Sequence, residues 1–376
     1  MKYQNRFFVL WGLLLCVMCI LFTSCSGEKE PVKLGLLAGL SGPNADLGHA
    51  GRNGAILAVA EINKDGGVGG RQVVLRIRDD ENSREKAVSA VKGLMEEKVS
   101  AIVGPFTTTM TEAVLPVTDS AGVLLFSPTA SSTKFSGLDD NFMRICSTTA
   151  DNAKSYADFL CADRKVRRIS VALEEKNHGF VKSWLEAFKV GIKKYDTKMV
   201  SEVWYRADAL HGYGHLIQEL LSPAPDAILL VANAVNVARM VQQIRKVDAE
   251  IKIFAAEWAG TQQLIELGGR AVDGLEVLHL FNKYGTEKEY LRFKDEYKEK
   301  FKADPGFSSI LAYESVKLLL SAMAKQKDGQ LLKNAVLENS PYQGLQGEIY
   351  IDKFGDSVRK TFFVTVNGTR FAPVAR

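Results

Sequence analysis

The chain has 376 residues, 46% hydrophobic and 24% charged, with 31 Gly, 10 Pro and 5 Cys, which excludes disordered and collagen-like classes and lets it bury a large core. Forty-eight basic residues against 44 acidic give +4. Setting aside Lys2 and Arg6, which lie in a leader without acidic residues, leaves 46 against 44, or +2, too small an excess to imply nucleic acid. The cluster Arg164-Lys165-Val166-Arg167-Arg168 precedes an apolar strand and reads as a solvated helix end rather than a phosphate patch. After residue 25 no stretch is apolar for 18 residues in a row, so the mature chain is not expected to span a membrane.

Residues 1–25 have the three-part layout of an export signal: Lys2 and Arg6, an apolar run from Phe7 to Phe22, then Thr23-Ser24-Cys25. Leu21-Phe22-Thr23-Ser24-Cys25 resembles the bacterial lipobox, with Phe22 where Leu is usual. That resemblance implies that Cys25 becomes the acylated first residue, anchoring an exported protein at the periplasmic or cell-surface side of a membrane. A cleaved secretory signal ending nearby and an uncleaved apolar anchor are the alternatives. Residues 26–31 form a polar tether. Cys16-Val17-Met18-Cys19 is formally C-x-x-C but lies in the leader. With Cys25 assigned to acylation, Cys146 and Cys161 remain and are expected to be free buried thiols, a disulfide staying open because the compartment is oxidising.

Along the mature chain, short apolar β-rich runs alternate with segments of helical period, the α/β pattern. Strands are expected at Val32–Ala38, Val73–Arg78, Ala101–Gly104 and Val123–Ser127, with helices at 48–63, 83–97 and 110–121 between them. A second series places strands at Ile169–Leu173, Val200–Trp204, Ala227–Val231, Lys252–Ala255 and Gly274–His279, with helices near 152–162, 180–194, 214–221 and 235–247. Helices near 287–301, 307–324 and 330–338 follow. Phe362–Val366 and Thr369–Phe371 then flank Asn367-Gly368, a hairpin turn signal. Two doubly wound sheets of domain size are the natural reading.

Motifs that suggest chemistry dissolve in context. Gly66-Gly67-Val68-Gly69-Gly70 follows a helix and precedes a strand, the reverse of a dinucleotide fingerprint. His211 and His215 have i, i+4 spacing but no adjoining Glu, and Gly212 and Gly214 weaken a helix there. Gly39-Leu40-Ser41-Gly42-Pro43 has Pro where a nucleophile elbow needs Gly. No cofactor, metal or catalytic constellation is expected. What remains are polar loops at strand carboxyl ends, where open α/β sheets bind ligands. Thr107-Thr108-Thr109 and Thr129-Ala130-Ser131-Ser132 offer hydroxyls beside helix-start amides, suited to a carboxylate, although any one such loop also fits plain N-capping. Glu257 in Ala255-Ala256-Glu257-Trp258 offers an acceptor for an ammonium.

Leu40-Ser41-Gly42-Pro43, Glu61-Ile62-Asn63, the Gly66–Arg71 turn, Asp79-Asp80, Ile102-Val103-Gly104-Pro105, Ser127-Pro128, Pro225-Asp226-Ala227 and Leu311-Ala312-Tyr313-Glu314 occur in the order of a known family. On these elements residues 31–376 closely resemble the branched-chain amino acid (Leu/Ile/Val) binding proteins, type I periplasmic solute-binding components of ABC importers. The resemblance implies two lobes of mostly parallel sheet joined by three crossovers around a hinged cleft. Residues 32–149 with 281–346 would form one lobe, and 150–280 with 347–376 the other. It places Thr108 and Ser131, with the backbone at Thr129 and Ala130, on an amino acid's carboxylate, and Glu257 on its ammonium. Leu47, His178 and Asn233 (or Ala234) stand where pocket aromatics are usual, which casts doubt on leucine itself, and Trp258 is read as rim packing. The implied partners are a small amino acid or related carboxylate and a membrane permease with its cytoplasmic ATPase. Contact with the membrane is through the lipid anchor alone, and the protein acts as a monomer. A ligand sensor of the same fold without transport is the alternative, and the absence of a base and nucleophile pair argues against an enzyme.

Overall fold

The computed structural model describes residues 29–42, 44–207 and 212–374. The leader, Cys25, Pro43 and His211 lie outside the described residues. Strand β1 (Val32–Ala38) is buried at every residue but Lys33, as expected of a parallel strand covered on both faces. Helix α1 (Ala45–Lys64), β2 (Val73–Asp79), α2 (Arg84–Glu96), β3 (Ile102–Val103), α3 (Thr108–Ser120), β4 (Leu125–Ser127) and β5 (Phe142–Arg144) complete the first series. They give a parallel sheet in the order β2-β1-β3-β4-β5. The glycine run ending α1 is a turn, with Gly66, Gly67, Gly69 and Gly70 all at positive φ.

The second series runs α4 (Thr149–Asp158), β6 (Arg168–Glu174), α5 (His178–Ile192), β7 (Lys198–Tyr205), α6 (Gly214–Leu221), β8 (Ala227–Val231), α7 (Ala234–Val247), β9 (Lys252–Ala255), α8 (Gln262–Gly268) and β10 (Glu276–His279). After it come α9 (Lys288–Phe301), α10 (Phe307–Lys325), α11 (Leu332–Glu338), the pair β11 (Tyr342–Gly344) and β12 (Gly347–Ile349), and the hairpin β13 (Phe362–Asn367) and β14 (Arg370–Pro373). The second sheet is ordered β7-β6-β8-β9-β10-β13-β14. Its first five strands repeat the order of the first sheet, so each lobe is one doubly wound unit, and the antiparallel β13 and β14 extend one edge. Gly368 turns that hairpin at φ 60°, as Asn367-Gly368 predicts. Strands β5, β11 and β12 and helix α8 are additions to the sequence expectation; the strands are three residues each, too short to show a period of two.

Helix α10 is long and apolar enough to cross a membrane, yet 78% of its apolar window is buried inside the fold. It packs on α1 of the first lobe, so closely that a Cβ on Gly54 would stand 2.0 Å from the Ser309 carbonyl oxygen. The chain passes between the sheets after β5, after β10 and before β13. At the third passage Arg144, fully buried, pairs with Asp356 at 2.7 Å, and Arg359 pairs with Glu314 at 2.7 Å. Residues 351–359 are thereby held against the first lobe, and the division expected between 346 and 347 falls inside the β11–β12 pair. Cys146 and Cys161 are free and buried.

Candidate functional site

The loops after β1, β3 and β4 meet the loops after β6, β9 and β10 across the junction of the two lobes, around a cavity of about 30 Å³. Both lobes wall it. Hydrogen bonds cross the junction around it. Thr109 donates from its N–H (3.2 Å) and hydroxyl (3.1 Å) to Asn177 Oδ1. Thr133 shares a hydrogen bond with the Ser183 hydroxyl at 2.9 Å and donates its N–H to it at 3.1 Å. The Thr261 hydroxyl donates to Asp46 at 2.7 Å.

Glu257 lies on a short 3₁₀ turn two residues past β9 and is 6% exposed. Its two oxygens accept from Asn152 Nδ2 at 2.8 Å and Trp184 Nε1 at 3.0 Å. Trp184 is itself fixed, stacked on Phe188 and edge-on to Tyr156, whose hydroxyl donates to the Ala255 carbonyl and accepts from Leu278 N–H. None of the described residues lining the cavity is Lys, Arg or His. Burial therefore pushes the Glu257 carboxyl above its ordinary range, against the lowering effect of its own N–H, Asn152 and Trp184. From the first lobe Thr108 enters at the start of α3, 1% exposed, and its hydroxyl has no hydrogen-bond partner among the described residues; Asn152 Oδ1 is likewise unpartnered. Buried polar atoms are nearly always paired. A free hydroxyl on one lobe and a carboxylate with a free amide oxygen on the other form a site with separate donor and acceptor ends.

Of the residues singled out from sequence, Leu47, Thr108, Thr129, Ser131 and Glu257 line this cavity. The Thr129 hydroxyl is already committed to the Phe106 carbonyl at 2.6 Å. Ala130 does not reach the cavity: it is fully buried in the first lobe and its N–H donates to Ser127 Oγ at 3.0 Å. His178 does not reach it either. The 3₁₀ turn Glu175–Asn177 points Asn177 inward and leaves His178 exposed against Trp204, ring centroids 5.2 Å apart. Asn233 caps α7, accepting from Asn236 N–H at 2.9 Å and donating to Glu174, and Ala234 is buried in the second lobe. Trp258, expected at the rim, lines the cavity edge-on to Phe180. Sequence reading missed Asn152, Asn177, Phe180, Leu280 and Phe307. Asn177, beside the chosen His178 in a loop after a strand, carried the one signal that could have found it.

A larger cavity, about 580 Å³, lies beside Glu174 at the carboxyl ends of β6 and β7, walled by Lys176, Arg206 and Arg239. It is bounded by one lobe only, whereas the smaller cavity is closed by both and holds the unpartnered polar atoms, so the smaller one is the candidate site.

A family model described as periplasmic binding protein matches residues 31–370. The chain is 26% identical over 253 residues to the Leu/Ile/Val-binding protein homolog 3 of Brucella melitensis, covering 66% of this chain and 67% of that one. It is 22% identical to the leucine-, isoleucine-, valine-, threonine- and alanine-binding protein of Pseudomonas aeruginosa, over 92% and 91% of the two chains. Among solved structures it is similar to the branched-chain amino acid transporter substrate-binding protein LivJ from Streptococcus pneumoniae in complex with isoleucine, with a TM-score of 0.84, 22% identity, and coverage of 91% of this chain and 98% of that chain. All three bear the names of binding proteins. The chain belongs to the periplasmic binding proteins, with the two-lobed type I fold, and is similar to the branched-chain amino acid binding members of that family.

Proposed function

We propose that this protein is the extracytoplasmic substrate-binding component of an ABC amino acid importer, closing on a small α-amino acid and delivering it to the permease. The observation that carries this reading is the buried Glu257 carboxylate, held by two neutral donors and facing the unpartnered Thr108 hydroxyl of the other lobe. A carboxylate so placed is costly without a cation. An α-ammonium between Glu257 and Asn152 Oδ1, with the α-carboxylate on Thr108 and Ser131, satisfies all of these groups at once. Leu47, Trp258, Leu280 and Phe307 suit an aliphatic side chain. Because the ligand touches both lobes, it binds the closed form better and shifts the population towards it.

The closing bodies in this reading are residues 32–149 with 281–359, and 150–280 with 360–374, the third crossing moved to follow Arg359 because of its pair with Glu314. Cys25 is proposed as the lipid-bearing first residue. Palmitate labelling of cells carrying the natural chain, lost in Cys25→Ser, tests the anchor separately.

For the ligand, the test is a thermal-shift comparison of leucine with its deaminated analogue, 4-methylpentanoate, on protein stripped of carried-over ligand. A ligand at 100 times its dissociation constant adds about 2.7 kcal/mol of stability. A shift with leucine and none with the analogue is expected; an equal shift with both would remove Glu257 as the ammonium site.

A further inference from the structure

On the other side of the β10 exit from the amino acid cavity lies a second pocket, about 240 Å³, walled by both lobes. Successive residues of an extended chain face opposite ways: Leu280 lines the first cavity, while His279 and Phe281 line the second. His279 is 3% exposed, and neither ring nitrogen has a hydrogen-bond partner among the described residues. Its ring is clamped by Phe281, stacked at 5.5 Å, and Phe371, edge-on at 4.7 Å. Gln263 Oε1, lining the same pocket, is also buried without a partner. Burial, with the nearby Lys283, pushes the imidazole down to about 3, so it is neutral and offers one N–H and one lone pair.

We infer that this pocket is a second small-molecule site, distinct from the amino acid cleft, which takes an uncharged compound with an apolar or aromatic body and an amide or hydroxyl head on His279 and Gln263. The head must both donate and accept to satisfy the imidazole and the amide oxygen together. Asp46, Glu266 and Asp304 line the pocket against an anion, and at the His279 end, where the head sits, Lys283 stands against a cation. The body packs on Phe281 and Phe371, and Leu47 and Phe307 line both this pocket and the amino acid cavity. Because Asp46 and Phe307 come from one lobe and His279, Gln263 and Phe371 from the other, with Asp46 and Thr261 in contact across the junction, an occupant favours the closed form and tightens binding in the cleft; this last clause rests on the proposed amino acid function.

The test is NMR on the full mature protein labelled at histidine, the His279 signals assigned by His279→Phe, with benzamide as probe and benzoate and benzylammonium as controls. Saturable movement of the His279 signals by benzamide is expected, with the two charged controls at least about tenfold weaker, and loss of the response in Gln263→Leu. Should Phe at 279 disturb packing, Gln263→Leu carries the comparison alone. Leucine affinity by calorimetry is expected to rise severalfold at saturating benzamide, the size of an ordinary coupling between sites. No movement of His279 in folded protein, or benzamide displaced by leucine, overturns the second site. If leucine itself does not bind, the amino acid reading fails, while the His279 response still decides the pocket.

Discussion

Two buried glutamates of the second lobe stand at strand carboxyl ends, and they do different work. Glu174, ending β6 and 1% exposed, accepts from Asn233 N–H at 3.1 Å, Asn233 Nδ2 at 3.2 Å and Asn236 Nδ2 at 2.8 Å. All three donors belong to the start of α7, so the carboxylate ties a strand to its neighbouring helix. Glu257, past β9, meets two neutral donors and a cavity in which the Thr108 hydroxyl and Asn152 Oδ1 have no partner among the described residues. In the proposed reading burial alone does not mark a binding residue; unspent hydrogen-bonding capacity aimed at a cavity between two lobes does.

The sharpest way to break this comparison is to remove charge from each glutamate. Glu257→Gln is expected to weaken amino acid binding on the order of 10² to 10³-fold, because a buried ammonium left without its partner costs about 3–5 kcal/mol, while the ligand-free protein melts at or above the natural temperature. Calorimetry and a melting curve on the same sample decide it, and affinity within threefold of the natural protein (about 0.7 kcal/mol) would sink the assignment. The same group sets a pH dependence. The raised carboxyl favours the protonated apo form, so its contribution to apo stability is full below the unfolded value and lost as pH rises through the folded one. Binding runs the other way: affinity falls about tenfold per pH unit once pH drops below the raised value. Binding in that range releases a proton, readable as a buffer-dependent heat. A flat affinity from pH 8 to pH 4 would contradict this.

Glu174→Ala is the converse experiment. Stranding the Asn233 and Asn236 donors is expected to cost about 2 kcal/mol of stability with amino acid affinity unchanged; a large loss of affinity at full stability would move the site to β6. A third buried carboxylate, Asp80, separates desolvation from function altogether. Burial and the neighbouring Asp79 push it up to about 6, above the ordinary 3.8, so its stabilising effect is complete below about pH 4 and lost as pH rises through 6. Asp80→Asn, which keeps the acceptor for Asn82 N–H, should therefore stabilise by on the order of 2 kcal/mol at pH 8 and hardly at all at pH 4. Equal gains at both pH values would show that ionisation is not the cause. The smallest effect is expected at His178: exposed beside Trp204, its change to Ala should leave affinity within about twofold, whereas Asn177→Ala, which removes a contact between the lobes, should weaken it more.

The His178 and Asn177 pair shows where sequence reading stops. Position in a loop after a strand was legible, because the α/β alternation forces such loops to the sheet edge where ligands bind, and it pointed to the loops of Thr108, Ser131 and Glu257, while Leu47 was singled out by the family resemblance; all four line the cavity. Which neighbour faces inward depends on one 3₁₀ turn, and a rotation of one residue reverses the answer. Asn152 and Trp184 were out of reach for a different reason: each meets Glu257 across 105 and 73 residues of chain, and nothing local in a helix announces a distant carboxylate. His279 was hidden likewise, since its orphaned nitrogens exist only once β10, the loop before α8 and the last hairpin enclose it.

By itself the sequence determined the repeated strand and helix order, the two doubly wound lobes and the loops at their mouths, because hydrophobic period and turn chemistry act over a few residues. Only the tertiary structure decided which polar atoms are spent inside a lobe and which are left facing a cavity. That balance is struck between groups a hundred residues apart, where packing rather than local propensity sets every distance.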